Sequence, residues 1–129
     1  MFERLEIFQM AYGLARHAAA RQAIVARNVA NADTPGYRAR DLASFSETYA
    51  RPAREVMLRT SRPGHLVAPD GVGPAAGARL TDDPVSPNGN SVSLESEMVR
   101  AAEIRRQHEL ALSVYSTSLN ILRSSLGRK

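Results

Sequence analysis

Three histidines are the first residues to test for chemistry, because an imidazole can ligate a metal or transfer a proton near neutral pH. His17, His65 and His108 lie far apart in the sequence, and none has the spacing of a metal-ligand pair. His108-Glu109 begins the zinc-protease helix pattern, but Leu112 occupies the position of the second histidine. The histidines therefore predict no zinc site, and the seam position of His108 favours a packed side chain.

Motifs for an activated nucleophile or a phosphate-binding loop are also missing from the sequence. The chain has no cysteine, which excludes disulfides, thiolate nucleophiles and cysteine-ligated zinc. No serine lies in a G-x-S-x-G elbow. Gly71, Gly73 and Gly77 match neither the dinucleotide-binding pattern nor the P-loop. We therefore predict a protein that is not an enzyme and binds no cofactor or metal.

The charge pattern bears on nucleic acid and membrane partners. The 129 residues include 17 Lys and Arg and 13 Asp and Glu, for a net charge of +4. Acidic and basic residues are interleaved in every part of the chain, whereas phosphate binding favours a one-sided basic excess. A small basic helical nucleic-acid-binding protein remains the alternative. The uncharged stretch 110–122 is too short to span a bilayer, and the N-terminus lacks the apolar run of a cleaved signal peptide.

Proline and glycine divide the chain into three parts. All seven prolines and six of the eight glycines lie within residues 34–93. Proline removes a backbone donor and clashes with the preceding helical turn, so long helices are confined to the flanks. We predict an N-terminal helix within 1–33, a turn-rich and partly flexible middle at 34–93, and a C-terminal helix within 94–129.

The N-terminal part has the periodicity of an amphipathic helix. The helix is predicted to end near Asp33, because Pro35 disfavours helical geometry at the residue before it, and Pro35-Gly36 suits a type II turn. The predicted seam consists of Phe8, Ala11, Ala15, Ala18, Gln22, Val25, Val29 and Ala32.

The C-terminal part predicts a longer amphipathic helix of roughly 50 Å. Ser93 is the predicted N-cap, Glu95 and Glu97 suit the positive end of the helix dipole, and Gly127 is a fitting stop. The predicted seam consists of Leu94, Met98, Ala101, Arg105, His108, Leu112, Tyr115, Leu119, Leu122 and Leu126.

The middle segment has little periodicity. Residues 55–59 and 66–68 are candidate short strands, and Asn88-Gly89 is a turn signal without a clear partner strand. The predicted fold class is therefore mainly α. Long N- and C-terminal helices pair as an antiparallel coiled-coil-like unit, forming one helical rod domain, with short β segments in the turn-rich middle.

Each helix also has apolar residues outside its main seam. In helix 1 these are Leu5, Ile7, Leu14, Ile24 and Ala30, and in helix 2 they are Val99, Ile104, Leu110, Val114 and Ile121. Periodicity alone fits either an ordinary small helical core or a second surface that packs against another chain. The helix lengths favour assembly.

A short motif follows the first helix, and it carries a family resemblance. Asn28, Ala30, Asn31, Thr34, Pro35, Gly36 and Tyr37 lie in a helix end followed by a proline-glycine corner. This segment resembles the "N-x-A-N-x-x-T-x-G-[YF]" signature of the flagellar axial proteins of the rod and hook. The ARDLASF continuation, the short length and the NGNSVSLESEM entry to the last helix are similar to the proximal-rod members.

The resemblance implies a structural subunit of the bacterial flagellar basal body, in the periplasmic rod that transmits torque from the membrane ring to the distal rod. It implies type III export without a cleaved signal peptide. The implied partners are copies of the chain, FlgC-like rod subunits, a FliE-like adaptor, a FliF-like ring protein and the export apparatus. The predicted assembly interface consists of Phe8, Leu14, Val25, Val29, Leu94, Met98, Leu112, Tyr115, Leu119, Leu122 and Leu126.

Overall fold

Two long helices dominate the computed structural model, which describes residues 2–50 and 77–127. Helix α1 spans Phe2–Ala30 and helix α3 spans Leu94–Ser125. Between them lie strand β1 at Arg40–Asp41, helix α2 at Phe45–Ala50 and strand β2 at Arg79–Leu80. The mainly helical fold class predicted from the sequence is confirmed.

The long helices pack against each other in antiparallel orientation. At one end the rings of Phe8 and Tyr115 meet edge to face, with centroids 5.3 Å apart. Near the other end, the side chain of Asn28 bonds to that of Glu97. Between these contacts, Ala18 and Val25 of α1 enclose Ile104 of α3 in the apolar core. The terminal segments therefore form one helical hairpin.

Each helix has three buried positions that recur every seven residues, which is the spacing of a coiled-coil seam. Ala11, Ala18 and Val25 are buried on α1, and the small alanines allow α3 to approach closely. On α3 the buried positions are Glu97, Ile104 and Ala111. The predicted seam of helix 1 includes these three residues, but the placement of Ile24 on the second stripe is wrong, because Ile24 is buried as well.

The contact face of α3 differs from the seam predicted for helix 2. The prediction placed Met98 on the seam, whereas Met98 is 70% exposed and its neighbour Glu97 is fully buried. Ile104, assigned to the second stripe, is in the core. The inward face is therefore rotated by about one residue, because Asn28 bonds the carboxylate of Glu97 and allows a charged side chain to occupy the seam.

The long helices end where the local sequence predicts, except that α1 ends earlier than expected. Ser93 caps α3 by accepting a hydrogen bond from the Ser96 amide at 3.4 Å, and Gly127 follows the helix with a φ of 67°, as predicted. Helix α1 ends at Ala30, three residues before the predicted Asp33, because residues 31–36 form turns.

The segment between the long helices forms a two-stranded sheet and a short helix beside α1. Strands β1 and β2 pair antiparallel, with Arg40 opposite Leu80. Helix α2, which the sequence did not predict, places the Phe45 ring 3.5 Å from where a side chain at Gly13 would begin. Gly13 thus lets α2 approach α1. The candidate strands at 55–59 and 66–68 lie outside the described residues.

Candidate functional site

The signature segment builds a buried polar junction around Asn28. This side chain is fully buried in the last turns of α1. Its amide nitrogen donates to the Arg40 carbonyl at 2.8 Å and to Glu97 Oε1 at 3.2 Å. Its amide oxygen accepts from the Arg40 amide at 3.2 Å and from the Tyr37 hydroxyl at 3.3 Å. All four hydrogen-bonding positions of the amide are therefore used.

Glu97 extends the junction to a charged triad with Arg100 and Asp83. The Arg100 guanidinium donates through Nη1 to Glu97 Oε1 and through Nη2 to both oxygens of Asp83, at 2.9 and 2.8 Å. Burial alone favours the neutral acid at Asp83, but hydrogen bonds from Thr81 and Arg100 outweigh it and lower the pKa of Asp83. Burial likewise opposes the charge on Arg100, yet the two carboxylates raise the pKa of Arg100. The ion pair between Asp83 and Arg100 thus ties the loop after β2 to α3.

The lowered pKa of Asp83 predicts a specific acid sensitivity. Because the pKa is lower in the folded than in the unfolded chain, the carboxylate stabilises the fold above its unfolded pKa. That contribution is lost as the pH falls through the folded pKa. We expect Asp83→Asn to lower the free energy of unfolding by about 1 kcal/mol at neutral pH and by almost nothing in acid.

Urea unfolding across a pH series measures this difference. Asp82→Asn is the matched control, because Asp82 is the exposed neighbour of Asp83. A constant penalty for Asp83→Asn at every pH would contradict the electrostatic role of the triad.

Asn90 holds the chain that leaves α1. Its buried amide nitrogen lies 2.9 Å from the Asn31 carbonyl and 2.8 Å from the carbonyls of Ala32 and Thr34. These contacts satisfy acceptors that the end of a helix leaves free. The Asn31 side chain makes only local bonds, since it donates to the Arg27 carbonyl and accepts from the Thr34 hydroxyl. The side chain of Asn90, just before α3, therefore fixes the backbone that follows α1.

The proline-glycine corner passes directly beside this contact. The Tyr37 amide donates to the Thr34 carbonyl, and Gly36 has a φ of 74°, as a type II turn requires. A side chain at Gly89 would begin 3.2 Å from the Gly36 backbone, and the Gly36 amide donates to the Asn88 carbonyl. The close approach of two glycines thus joins the signature segment to the entry of α3.

Further polar contacts fix the strand that follows the corner. The buried Ala39 amide donates to the Ser91 hydroxyl at 2.9 Å. Arg21 donates two hydrogen bonds to the carboxylate of Asp41, and these bonds are the main reason that the pKa of Arg21 is raised. His17 Nε2 lies 2.8 Å from the Ala43 carbonyl. The chain after the signature is therefore anchored to α1 along several turns.

The sequence-predicted motif residues meet in this junction to different degrees. Asn28 is buried at its centre, and Asn31 and Tyr37 are half-buried beside it. Ala30, Thr34, Pro35 and Gly36 are exposed. Four residues that carry most of the junction's long-range bonds were not singled out as site residues, namely Asp83, Asn90, Ser91 and Arg100. The Glu97/Arg100 spacing of three residues on one helix was the available signal for an ion pair.

The predicted interface residues divide into a buried and an exposed group. Val25 is buried in the intramolecular core, and Phe8, Leu14, Leu119 and Leu122 are half-buried. The remaining six are exposed in the isolated chain, with Met98 at 70% and Leu126 at 82%. The exposed group consists of Val29, Leu94, Met98, Leu112, Tyr115 and Leu126.

The chemistry available to this site is hydrogen bonding and ion pairing within the chain. Within residues 2–50 and 77–127, no three His, Asp or Glu side chains lie close enough to hold a metal ion. No helix in these two ranges is both long and apolar enough to cross a membrane. His17 and His108 are described and far apart in sequence, whereas His65 lies outside the described residues.

An antiparallel pair of terminal helices, locked by a polar signature junction and exposing apolar side chains, defines a helical structural subunit. A family profile described as "Flagella basal body rod protein" matches residues 15–38, which contain the whole signature. The chain belongs to the FlgB family of flagellar basal body rod proteins, a family of structural subunits.

Individual relatives support this assignment along most of the chain. The flagellar basal body rod protein FlgB of Agrobacterium fabrum is 31% identical over 116 residues, which cover 85% of this chain and 84% of the relative. FlgB of Cereibacter sphaeroides is 35% identical over 109 residues, covering 82% of each. FlgB of Escherichia coli is 36% identical over 118 residues, covering 82% of this chain and 85% of the relative. The similarity thus extends well beyond the signature.

Proposed function

We propose that this chain is a structural subunit of the proximal rod and assembles by packing its terminal helices against neighbouring subunits. The rod family is known from the relatives, and the packing is inferred from the surface of the hairpin. The family assignment favours this function over the nucleic-acid-binding alternative. The charge pattern also favours it, since basic and acidic residues are interleaved throughout.

The observation that carries the proposal is the apolar surface left on the paired helices. Large apolar side chains flank the buried face of α3 on both sides. Leu94, Met98 and Leu112 lie on one side, and Val99 and Leu110 lie on the other. Large apolar side chains left exposed in this number indicate sites of protein association. The hairpin therefore has one apolar flank for each of two neighbouring subunits.

The torque path follows from this packing. In the proposed rod, force passes between subunits through interdigitated apolar side chains, and within each subunit through the seam around Ile104 and the junction around Asn28. Close-packed interiors are weakly compressible and transmit strain. The junction keeps the two helices from sliding, because its bonds connect α1, β1 and α3. No chemical step is required.

The proposed setting is the periplasmic part of the basal body, reached by type III export without a cleaved signal peptide. The proposed neighbours are copies of the chain, FlgC-like rod subunits, a FliE-like adaptor and a FliF-like ring protein. The proposed interface includes the exposed predicted residues and the half-buried ones at the Phe8–Tyr115 end of the hairpin.

Leu112→Asp tests the assembly surface without opening the core. Leu112 is 52% exposed, so we expect the variant monomer to keep its helical circular dichroism and unfold within about 0.5 kcal/mol of the parent. A buried carboxylate at a subunit contact is strongly unfavourable, so rods should not form. Electron microscopy of isolated basal bodies and a motility assay in a strain lacking the parent gene measure this outcome.

Ser113→Asp is the matched control, because it introduces the same charge one residue further along the exposed surface of α3. We expect this variant to support motility. Rods that form normally with Leu112→Asp would remove that side of α3 from the interface.

A further inference from the structure

The turn that precedes α3 contains a side chain that can react with its own backbone. Asn88 is followed by Gly89, and it is the only one of the five asparagines with glycine after it. The other four precede residues with a side chain, which crowds the backbone nitrogen. Because the carboxamide of an asparagine lies close to the nitrogen of the next residue, the two groups can react within the chain.

The reaction available to this pair is deamidation through a cyclic imide. The Gly89 nitrogen attacks Cγ of Asn88 and forms a new C–N bond, while the bond from Cγ to Nδ2 breaks. Ammonia leaves with the proton of the Gly89 amide. Water then opens the ring, giving aspartate when it attacks the side-chain carbonyl and isoaspartate when it attacks the main-chain carbonyl. Water is the only co-reactant.

Exposure alone would leave Asn88 open to this reaction. Its side chain is exposed in the folded chain, and Gly89 is half-buried. Any protection must therefore come from geometry, since an intramolecular attack needs the nitrogen and the carbon held in a reactive arrangement.

The turn holds the reactive peptide group away from that arrangement. The Gly89 amide donates to the Ser86 carbonyl at 2.8 Å, which closes a turn over residues 86–89 with Pro87 in second place. The third residue of such a turn has a ψ of about 0°, whereas the ring closes only when the Gly89 nitrogen eclipses Cβ, about 120° away. The attack therefore requires the turn to open.

Two further hydrogen bonds oppose the opening of the turn. The Asn88 carbonyl accepts from the Gly36 amide at 3.0 Å, so both polar groups of the reactive peptide are engaged. The side-chain oxygen of Asn88 accepts from the Asn90 amide at 3.0 Å. Gly36 belongs to the signature segment. The arrangement that restrains Asn88 thus depends on the contact between the signature and the entry of α3.

We propose that Asn88 is a deamidation site that the folded turn protects and the unfolded chain exposes. Isoaspartate adds one carbon to the main chain beside Gly89, where an added Cβ would already lie 3.2 Å from the Gly36 backbone. A chain modified in this way cannot rebuild the close approach of the two glycines. The modification therefore marks chains that have remained unfolded, and it is independent of the proposed rod function.

Peptide mapping of the full-length protein tests the site. Samples are incubated in mildly alkaline buffer with and without urea, and residues 80–100 are recovered as one tryptic peptide. Fragmentation in the mass spectrometer distinguishes Asn88 from Asn90. We expect conversion of the Asn88 amide to an acid to be at least about tenfold slower in the folded chain, which corresponds to about 1.4 kcal/mol for local opening.

Pro87→Gly tests the turn within the folded chain. Pro87 is exposed, and its ring fixes φ at the second residue of the turn. The substitution should raise the deamidation rate of the folded chain roughly threefold and leave the rate in urea unchanged. Circular dichroism shows that this variant keeps its helices.

Asn88→Ser is the control for the isoaspartate signal, which an isoaspartyl methyltransferase assay measures in the same samples. It should remove the part of the signal that comes from the turn. The background includes Asp70-Gly71, which can form isoaspartate without releasing ammonia.

Three results would overturn the proposal. Equal rates with and without urea would show that the fold gives no protection. An intact Asn88 after long incubation in urea would show that it is not a modification site. An unchanged rate in folded Pro87→Gly would show that the turn is not the protecting element.

Discussion

An Asn28→Ala variant should lose about 3 kcal/mol of its free energy of unfolding. The substitution removes four hydrogen bonds and leaves the Arg40 backbone groups, the Tyr37 hydroxyl and Glu97 Oε1 with fewer partners. Each buried polar group left unsatisfied costs about 1 to 3 kcal/mol, and partial access of water reduces the sum. Urea unfolding monitored by far-UV circular dichroism measures the loss.

Asn31→Ala is the matched control, because Asn31 is the other asparagine of the signature and its side chain makes an exposed bond to the Arg27 carbonyl. We expect this variant to lose less than about 1 kcal/mol. Asn28→Asp separates polarity from size, since it keeps the shape but replaces the donor to Glu97 with a second carboxylate. Equal losses for Asn28→Ala and Asn31→Ala would show that the junction does not depend on Asn28.

The long helices were predictable from the sequence because their signals are local. Apolar spacing, the Ser93 cap and the glycine stop at Gly127 each act within one or two turns of the chain. The Pro35-Gly36 corner was predictable for the same reason, since proline fixes φ and glycine accepts a positive φ. Antiparallel pairing followed from two amphipathic helices at opposite ends of a short chain.

The rotation of the α3 seam was not predictable from apolar spacing. Hydrophobic periodicity favoured Met98 over Glu97 as the inward residue. Burial of Glu97 depends on the donor from Asn28, which lies 69 positions away in the sequence. The helix dipole, which is a local effect, also accounts for an acidic residue at position 97 without burying it. A charged residue in a seam is recognised only when its partner is known.

The polar junction escaped prediction because it is assembled from distant segments. Ser91 and Ala39 are 52 positions apart, and Asn90 reaches the end of α1 across a similar distance. The two-residue strands and α2 are too short to leave a periodic pattern. The signature could be identified from the sequence, but its physical role as one half of a junction required the other half.

Truncation of an isoleucine to alanine should destabilise the monomer strongly at the seam of α3 and only slightly at its surface. Ile104→Ala removes methyl groups from a side chain that is 2% exposed and packed on Ala18 and Val25. We expect a loss of about 3 kcal/mol in the free energy of unfolding, since the alanines around Ile104 are too small to fill the cavity. Ile121→Ala, at a 53% exposed position of the same helix, should cost less than about 0.5 kcal/mol in the monomer.

The paired variants also separate folding from assembly. Ile104→Ala should weaken rods only as far as it depletes folded chain, so raising its expression or lowering the temperature should restore motility. Ile121→Ala should reduce rod yield at unchanged monomer stability, because the side chain it truncates is covered only by a neighbour in the proposed rod. Calorimetry of the monomers and basal-body counts from the same strains give both quantities. A large loss of monomer stability from Ile121→Ala would mean that this side of α3 is already buried within one chain, and the proposed second surface would be wrong.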